Sequence, residues 1–185
     1  MGLIMVTGGA SSGKSEFAEK MALEYGGGSV LYIATSIPID DEMKERIRRH
    51  RERRSEKWGI IEAFKGLKNI IISSEKKVIL LDCLTVMITN FIMEKDLTGD
   101  NLLVDEINDL EGKISDEVDG IIEGALKRVG DTIIVTNEIG MGLVPEYKLG
   151  RIFRDIAGRM NMKIAEAAEV VYLTVSGIPI KIKGC

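Results

Sequence analysis

Gly8-Gly9-Ala10-Ser11-Ser12-Gly13-Lys14-Ser15 has the residue types and the spacing to hold a triphosphate, fitting G-x-x-x-x-G-K-[ST] in full. The glycines let the backbone turn where a Cβ would clash, so that successive N–H groups face a phosphate-sized hollow. Lys14 is placed to reach the β- and γ-phosphates, and Ser15 to hold Mg²⁺. Context favours this over a plain Gly/Ser turn: the apolar run Leu3-Ile4-Met5-Val6 precedes the loop and a helix-compatible stretch from about Lys14 to Tyr25 follows it. The positive end of that helix lies under the loop. The chemistry indicated is binding of a nucleoside triphosphate.

Asp82 closes the apolar run Val78-Ile79-Leu80-Leu81. Ligands of open α/β sheets bind beyond the carboxyl ends of the strands, so Asp82 and the loop can meet there. Its carboxylate suits Mg²⁺, directly or through water, or a ribose or base; it also suits a helix cap at Thr85. Arg46-Ile47-Arg48-Arg49-His50-Arg51-Glu52-Arg53-Arg54 gathers six arginines around the only histidine. One reading is a solvated charged face, with Asp40, Asp41, Glu42 and Glu45 pairing at i,i+4. The other is a site visited by polyanions. A histidine among cations has its proton affinity lowered and stays neutral near pH 7. Such an imidazole can attack phosphorus to form a phosphoramidate while the arginines neutralise the transferring group. RNA would also suit six arginines, but no aromatic platform interleaves with them. Thr136-Asn137-Glu138-Ile139-Gly140-Met141-Gly142 follows another apolar run, and Glu138 is a candidate to order a second substrate or a metal-bound water. A plain turn fits that spacing as well.

These groups need strands that end beside them. Besides the first strand, Val30 to Ala34, Val78 to Leu81 and Thr132 to Thr136 read as short buried strands. Gly26-Gly27-Gly28 ends the first helix, Asp40 to Lys57 reads as a charged helix, and Leu84 to Met93 as another. From Leu102 the positions Leu103, Ile107, Leu110, Ile114, Val118, Ile121 and Ala125 follow threes and fours, predicting a long amphipathic helix. Leu149 to Ala168 is predicted helical, with Ile152, Ile156, Met160 and Ile164 four apart. Val170 to Val175, Ser176-Gly177 and Ile178 to Ile182 predict a terminal hairpin. The expected fold is α/β: a mostly parallel sheet with helices on both faces and a C-terminal antiparallel hairpin, one domain over residues 1–185.

The formal net charge of −4 gives no global reason to expect nucleic acid or an anionic membrane as partner. No 18-residue apolar run and no cleavable leader is present, so a cytoplasmic enzyme is expected. Cys83 and Cys185 form no disulfide framework; Cys83 is expected in the core, and one histidine gives structural zinc no support. A phosphate loop alone leaves switch, motor, kinase and transporter subunit open.

The combination resembles the bifunctional adenosylcobinamide kinase / adenosylcobinamide-phosphate guanylyltransferase family of cobalamin biosynthesis, which has a P-loop, RecA-like fold. The matching pieces are the phosphate loop, Tyr32-Ile33-Ala34-Thr35, Asp41-Glu42-Met43 with Arg46-Ile47, His50-Arg51, Arg54, Trp58, Glu62, Leu81-Asp82-Cys83 and Thr89-Asn90. They continue through Val135 to Gly142 with Val144-Pro145-Glu146, Phe153 to Arg159 with Asn161, and Val175-Ser176-Gly177, so the likeness runs the length of the chain. The strings Thr-Asn-Glu-x-Gly-Met-Gly and Phe-Arg-Asp-Ile-Ala-Gly-Arg are far more specific than the phosphate loop.

The resemblance implies phosphorylation of the aminopropanol hydroxyl of adenosylcobinamide by ATP or GTP, then transfer of GMP from GTP through a guanylylated histidine, releasing pyrophosphate. The histidine falls on His50. The nucleotide-contacting positions fall on Gly8, Gly9, Ala10, Ser11, Ser12, Gly13, Lys14, Ser15, Ile33, Ala34, Thr35, Arg51, Glu52, Arg53, Arg54, Glu62 and Asp82, with Ser15 and Asp82 toward Mg²⁺. It also implies a homo-oligomer, typically a trimer. Ser11 stands where arginine is usual, so one cation is expected either to be missing or to come from Arg51 or Arg54; Ser55 stands where proline usually ends the arginine-rich segment, so that helix is expected to run on differently. Glu94 to Asn101 and the loop after Thr136 are the stretches expected beside the corrinoid. The competing readings are a single-function kinase and a GTP-binding switch, the latter lacking here its Asn-Lys-x-Asp guanine signature.

Overall fold

The short apolar runs are strands buried on both faces, which is why they read as continuous rather than alternating. In the computed structural model, which describes residues 2–36, 57–95 and 103–184, they join one seven-stranded sheet. Its strands are β1 (Leu3–Gly8), β2 (Val30–Ala34), β3 (Gly59–Glu62), β4 (Val78–Asp82), β5 (Asp131–Val135), β6 (Val170–Val175) and β7 (Ile178–Lys183). The spatial order is β3-β2-β4-β5-β1-β6-β7. All pairings are parallel except β6 with β7, so the expected hairpin forms the antiparallel edge.

The described helices are α1 (Lys14–Gly26), α2 (Leu67–Ser73), α3 (Leu84–Glu94), α4 (Val104–Lys127) and α5 (Lys148–Ala167). One apolar layer joins α2, α3, α4 and α5 to residues such as Met5, Ile33, Leu81 and Ile134 of the sheet. The opposite layer joins Ala18, Met21 and Ala22 of α1, with Trp58, to Val6, Tyr32, Leu80 and Val135. The long helix keeps its predicted stripe from Leu110 through Ile114, Val118 and Ile121 to Ala125. Leu103, at its N-cap, is exposed instead, because the helix begins only at Val104 and its first turn projects past the core.

Two elements carried no clear pattern in the sequence. β3 is an outer strand of the sheet, with Ile60 and Ile61 roughly half-exposed, so neither alternation nor a buried run marks it. α2 has seven residues, and its first turn borrows a cap from α4: Glu117 accepts from the N–H of Leu67 at 2.7 Å and of Gly66 at 3.1 Å. The two helices approach closely at Gly124, where a Cβ would stand 3.1 Å from Ile71 Cγ2.

The topology creates a crevice. β1 and β5 are neighbours, but β1 leads into α1 on one face whereas β5 leads toward α5 on the other. Chains leaving adjacent parallel strands in opposite directions part at the carboxyl ends, which is where open α/β sheets bind ligands.

Candidate active site

The phosphate loop sits in this crevice. Gly13, the N-cap of α1, takes the left-handed region at φ 88, and Ser11 does so at φ 55. Lys14 is 7% exposed, and its Nζ donates to Gly9 O at 2.9 Å, which holds the ammonium across the loop's mouth. Ser12 N donates to Gly9 O at 3.3 Å, closing the turn. The Ser12 hydroxyl is buried with no protein hydrogen-bond partner among the described residues, and a Cβ on Gly9 would meet nothing within 4 Å. The open space beside Gly9, next to the N-terminus of α1, fits a phosphate, whereas the Ser12 hydroxyl lies on the Gly8 side of the loop, where a Cβ on Gly8 would also meet Thr174 O.

Neighbouring strands brace the loop. A Cβ on Gly8 would stand 2.4 Å from Thr174 O, so only glycine lets β6 lie this close. The hairpin turn supports the far side: Ser176 and Gly177 adopt φ 50 and 83, and Gly177 N donates to Ser12 O at 2.8 Å. From the loop after β5, Glu138 N donates to Gly8 O at 2.9 Å.

Asp82 ends β4, paired with Ala34. Alternate side chains of a strand share a face, and a long aromatic reaches the diagonal neighbour on the next strand. Tyr32, paired with Leu80, is such a neighbour: its hydroxyl donates to Asp82 Oδ2 at 2.9 Å. Tyr32 and Leu80 lie in the apolar layer of α1, which puts the carboxylate on the face where the phosphate loop opens. The helix-cap alternative does not hold: Cys83 is the N-cap of α3 and no side chain caps it.

Among the described residues no three His, Cys, Asp or Glu side chains group to hold a metal. Ser15 and Asp82 are hard oxygen donors on the phosphate-loop side, a set that fits a Mg²⁺ ion completed by phosphate oxygens and water.

A buried polar net lies beneath these groups. Thr35 Oγ1 donates to Cys83 O at 2.7 Å and accepts from Cys83 N at 2.9 Å, while Asn90 Nδ2 donates to Thr35 O at 2.6 Å. Asn137 Nδ2 donates to Thr85 Oγ1 at 2.6 Å. Asn161, from α5, accepts from Thr136 Oγ1 at 2.7 Å and donates to Asn137 O at 3.0 Å. Burial, followed by the charge of Asp82, pushes the Cys83 thiol above its ordinary range, which bears out the expectation that Cys83 is a core residue.

The predicted site residues divide accordingly. Gly8 to Ser15 and Asp82 lie at the same, carboxyl end of the sheet, on β1 and β4 with β5 between them. Ala34, Thr35 and Glu62 line a 410 Å³ hollow with Ser36, Ala63, Phe64 and Lys65, at the ends of β2 and β3. Ile33 is fully buried in the core, and the polar atoms of Thr35 are spent on Cys83, Asn90 and the backbone. His50, Arg51, Glu52, Arg53 and Arg54 lie outside the described residues, as do Ser55, Cys185, most of Asp40 to Lys57 and most of Glu94 to Asn101. A wider hollow of 910 Å³ lies at the opposite end of the strands; its Arg128 is spent on the carbonyls of Asp131 and Lys76.

Residues 4–182 match the family model described as cobinamide kinase / cobinamide phosphate guanyltransferase. The chain belongs to this family. It is 45% identical over 184 residues to the bifunctional adenosylcobalamin biosynthesis protein CobU of Escherichia coli (strain K12), covering 98% of this chain and 99% of that protein. It is 38% identical over 182 residues to the bifunctional adenosylcobalamin biosynthesis protein CobP of Pseudomonas aeruginosa, covering 97% and 96%. Among solved structures, flagellar accessory protein FlaH from Methanocaldococcus jannaschii overlays at a TM-score of 0.46 and 18% identity, covering 99% of this chain and 78% of that one. Membership of the cobinamide kinase / guanyltransferase family makes the chain a nucleotide-using enzyme of cobalamin biosynthesis, as the motifs implied. It also gives the phosphate loop an acceptor to serve. No helix among the described residues is long and apolar enough to cross a membrane.

Tyr32, Asn161 and Gly177 support the site in ways that residue types did not disclose. Each acts through a partner brought close only by strand register or by the hairpin.

Proposed function

We propose that the loop Gly8 to Ser15 binds ATP or GTP for phosphorylation of the aminopropanol hydroxyl of adenosylcobinamide, and places GTP for a second reaction in which GMP passes through His50 to the new phosphate. The observation that carries it is that Lys14 and the phosphate loop, following β1, share the carboxyl end of the sheet with Asp82, at the end of β4, in a chain that matches the family over nearly its whole length.

In the first reaction the substrate hydroxyl attacks the γ-phosphorus, and the bond to the β-phosphate oxygen breaks. Little covalent help is needed; the loop amides and Lys14 steady charge on the transferring group. Mg²⁺, held by Ser15 and Asp82, would neutralise phosphate charge. In the second reaction an imidazole nitrogen of His50 attacks the α-phosphorus of GTP and pyrophosphate leaves. An oxygen of adenosylcobinamide phosphate then displaces the imidazole, giving adenosylcobinamide-GDP. Two in-line displacements retain configuration at phosphorus. Arg51 and Arg54 would supply the cation that Ser11 does not, and Glu62 with Ala34 would border the base or ribose.

GTP radiolabelled at the α-phosphorus tests this. The expected result is an acid-labile, base-stable label on the protein that His50→Gln abolishes while some kinase activity survives. Equal labelling of that variant rules out His50. Phosphorylation of cobinamide with no label in the native protein reduces the function to a single kinase. The chain is further proposed to act as one domain over residues 1–185, in the cytoplasm, as a homotrimer; sedimentation equilibrium measures the last.

A further inference from the structure

The stretch between β5 and α5 exposes an unusual set of side chains. Met141 is 82% exposed, Leu143 96%, Val144 68% and Tyr147 68%, all within seven residues. Isolated exposed apolar residues are common, but a cluster of this kind marks a binding surface. Nor are these side chains left outside because the segment is loosely held. Gly140 N donates to Glu138 Oε1 at 2.6 Å, and Arg154 Nη2 donates to Gly140 O at 2.7 Å. Arg151 Nη1 donates to Pro145 O at 3.0 Å and Glu146 O at 2.5 Å. A Cβ on Gly150 would fall 2.8 Å from both Pro145 Cβ and Tyr147 Cε2, so the end of the loop rests directly on the first turn of α5. Two arginines and a carboxylate therefore fix the backbone through its polar groups, which leaves Met141, Leu143 and Val144 exposed and only one edge of the Tyr147 ring resting on Gly150.

The position of this surface identifies its occupant. The loop starts at Glu138, whose N–H is bonded to Gly8 O of the phosphate loop, so its apolar rim grows out of the nucleotide crevice itself. The acceptor must bring one hydroxyl to the γ-phosphate and park the remainder of a large molecule close by. Cobinamide carries that hydroxyl on a flat macrocycle fringed with methyl groups and carboxamide arms, a shape that needs apolar contact with polar groups at its margin. We propose that Met141, Leu143, Val144 and Tyr147 form the apolar platform for the corrin ring, bordered by Arg154. This rests on the proposed function and extends it to the second substrate. Arg154 Nη1 is buried without a protein partner among the described residues, in the group that already holds Gly140, and is the donor offered to a carboxamide oxygen at the platform's edge.

The test is the double variant Leu143→Ser, Val144→Ser in the full chain, with cobinamide as acceptor and ATP or GTP as donor. Both side chains are solvent-exposed, so the fold should be retained; unchanged Tm verifies it. The expected result is a KM for cobinamide raised at least tenfold, with the KM for nucleotide within twofold of the native value. Native protein that phosphorylates no cobinamide would sink the proposed function itself. Native activity with an unaltered cobinamide KM in the variant would overturn the platform alone. A variant that sediments as a smaller species and loses affinity for both substrates would overturn it too, assigning the surface to a subunit contact.

Discussion

The Tyr32 hydroxyl donates to Asp82 Oδ2 at 2.9 Å across the β2–β4 pairing, tying the carboxylate at the rim of the site to a side chain only 2% exposed. A carboxylate fixed by one oxygen presents the other in a defined direction, which is what a metal or ribose contact requires. Tyr32→Phe keeps the ring and removes the donor. It is expected to cost about 1 kcal/mol of stability and to raise the Mg²⁺ concentration for half-maximal kinase activity about tenfold. Urea unfolding and a Mg²⁺ titration measure the two. An unchanged titration would mean that Tyr32 does not orient Asp82 for the metal.

The two glycines that open the phosphate loop do different work, and alanine separates them. At Gly8 a Cβ meets the Thr174 carbonyl at 2.4 Å and Ser12 Oγ at 2.6 Å. Gly8→Ala must therefore push β6 or the loop aside, at about 1–3 kcal/mol, lowering Tm by about 2–12 °C. At Gly9 a Cβ meets nothing within 4 Å and the backbone φ needs no glycine, but the methyl would project into the phosphate cradle. Gly9→Ala is expected to shift stability by no more than about 0.5 kcal/mol while raising the KM for nucleotide. Thermal melts beside initial rates distinguish the pair; a Gly9→Ala protein with native nucleotide KM would place the phosphates elsewhere.

Asn161 reaches from α5 to the end of β5, taking a hydrogen bond from Thr136 Oγ1 and giving one to Asn137 O. It thereby sets the residues just before Glu138, whose amide holds Gly8. Asn161→Ala would strand two buried groups and is expected to cost about 2–3 kcal/mol. Asn161→Asp keeps the acceptor for Thr136 and loses the donor to Asn137, so it should recover part of that stability. If positioning is its role, kcat falls in both variants at temperatures where they stay folded, with nucleotide KM little altered. Native kcat in folded Asn161→Ala would leave it a purely structural residue.

What residue patterns disclosed and what they concealed follow from burial and register. β1, β2 and β5 are wholly buried, so their apolar runs were visible, and α4 and α5 show their stripes because each has one buried face. β3 was hidden because an edge strand with Ile60 and Ile61 half out of the core shows neither period. The phosphate loop was legible because its chemistry is local. The Tyr32–Asp82 bond depends on β2 lying beside β4 in one register, and the Gly177–Ser12 bond on the C-terminal hairpin folding back to the first loop. Asp82 was ambiguous for the same reason: a carboxylate before a helix looks like a cap until a neighbouring strand supplies its partner.

Glu123 offers an acid-side measurement away from the active site. Hydrogen bonds from Lys127 at 2.5 Å and Lys68 at 2.6 Å, with the two ammonium charges, hold its carboxyl down to about 2, against an ordinary value of 4.5. Because the folded value is depressed, the contribution is fully present above about pH 4.5 and is lost as pH falls toward 2. The group is solvent-exposed, so salt should weaken the effect. Glu123→Gln is expected to narrow the stability gap between pH 5 and pH 3 at low ionic strength, and to do so less in added salt. An identical gap in variant and native protein would show that the bridge from α4 to α2 adds nothing beyond packing.

Cys83 gives the matching measurement on the alkaline side. Burial is the largest cause of its raised thiol value and the Asp82 carboxylate the next, outweighing the opposing hydrogen bond with Thr85. The folded value thus lies above the ordinary thiol value of 9.0, so the stability tied to the neutral thiol is present below that pH and is lost as pH rises through the folded value. Two outcomes follow in a Cys185→Ser background, where Cys83 is the only cysteine left. At pH 8 the folded protein should resist a thiol-specific reagent that labels the urea-unfolded chain at once, since a buried neutral thiol is a poor nucleophile. Replacing Cys83 by alanine should then make the fall in stability between pH 8 and pH 10 shallower than in the Cys185→Ser parent. Rapid labelling of the folded protein at pH 8 would contradict the burial and the raised value together, and would reopen Cys83, one residue from Asp82, as a reactive group at the rim of the nucleotide site.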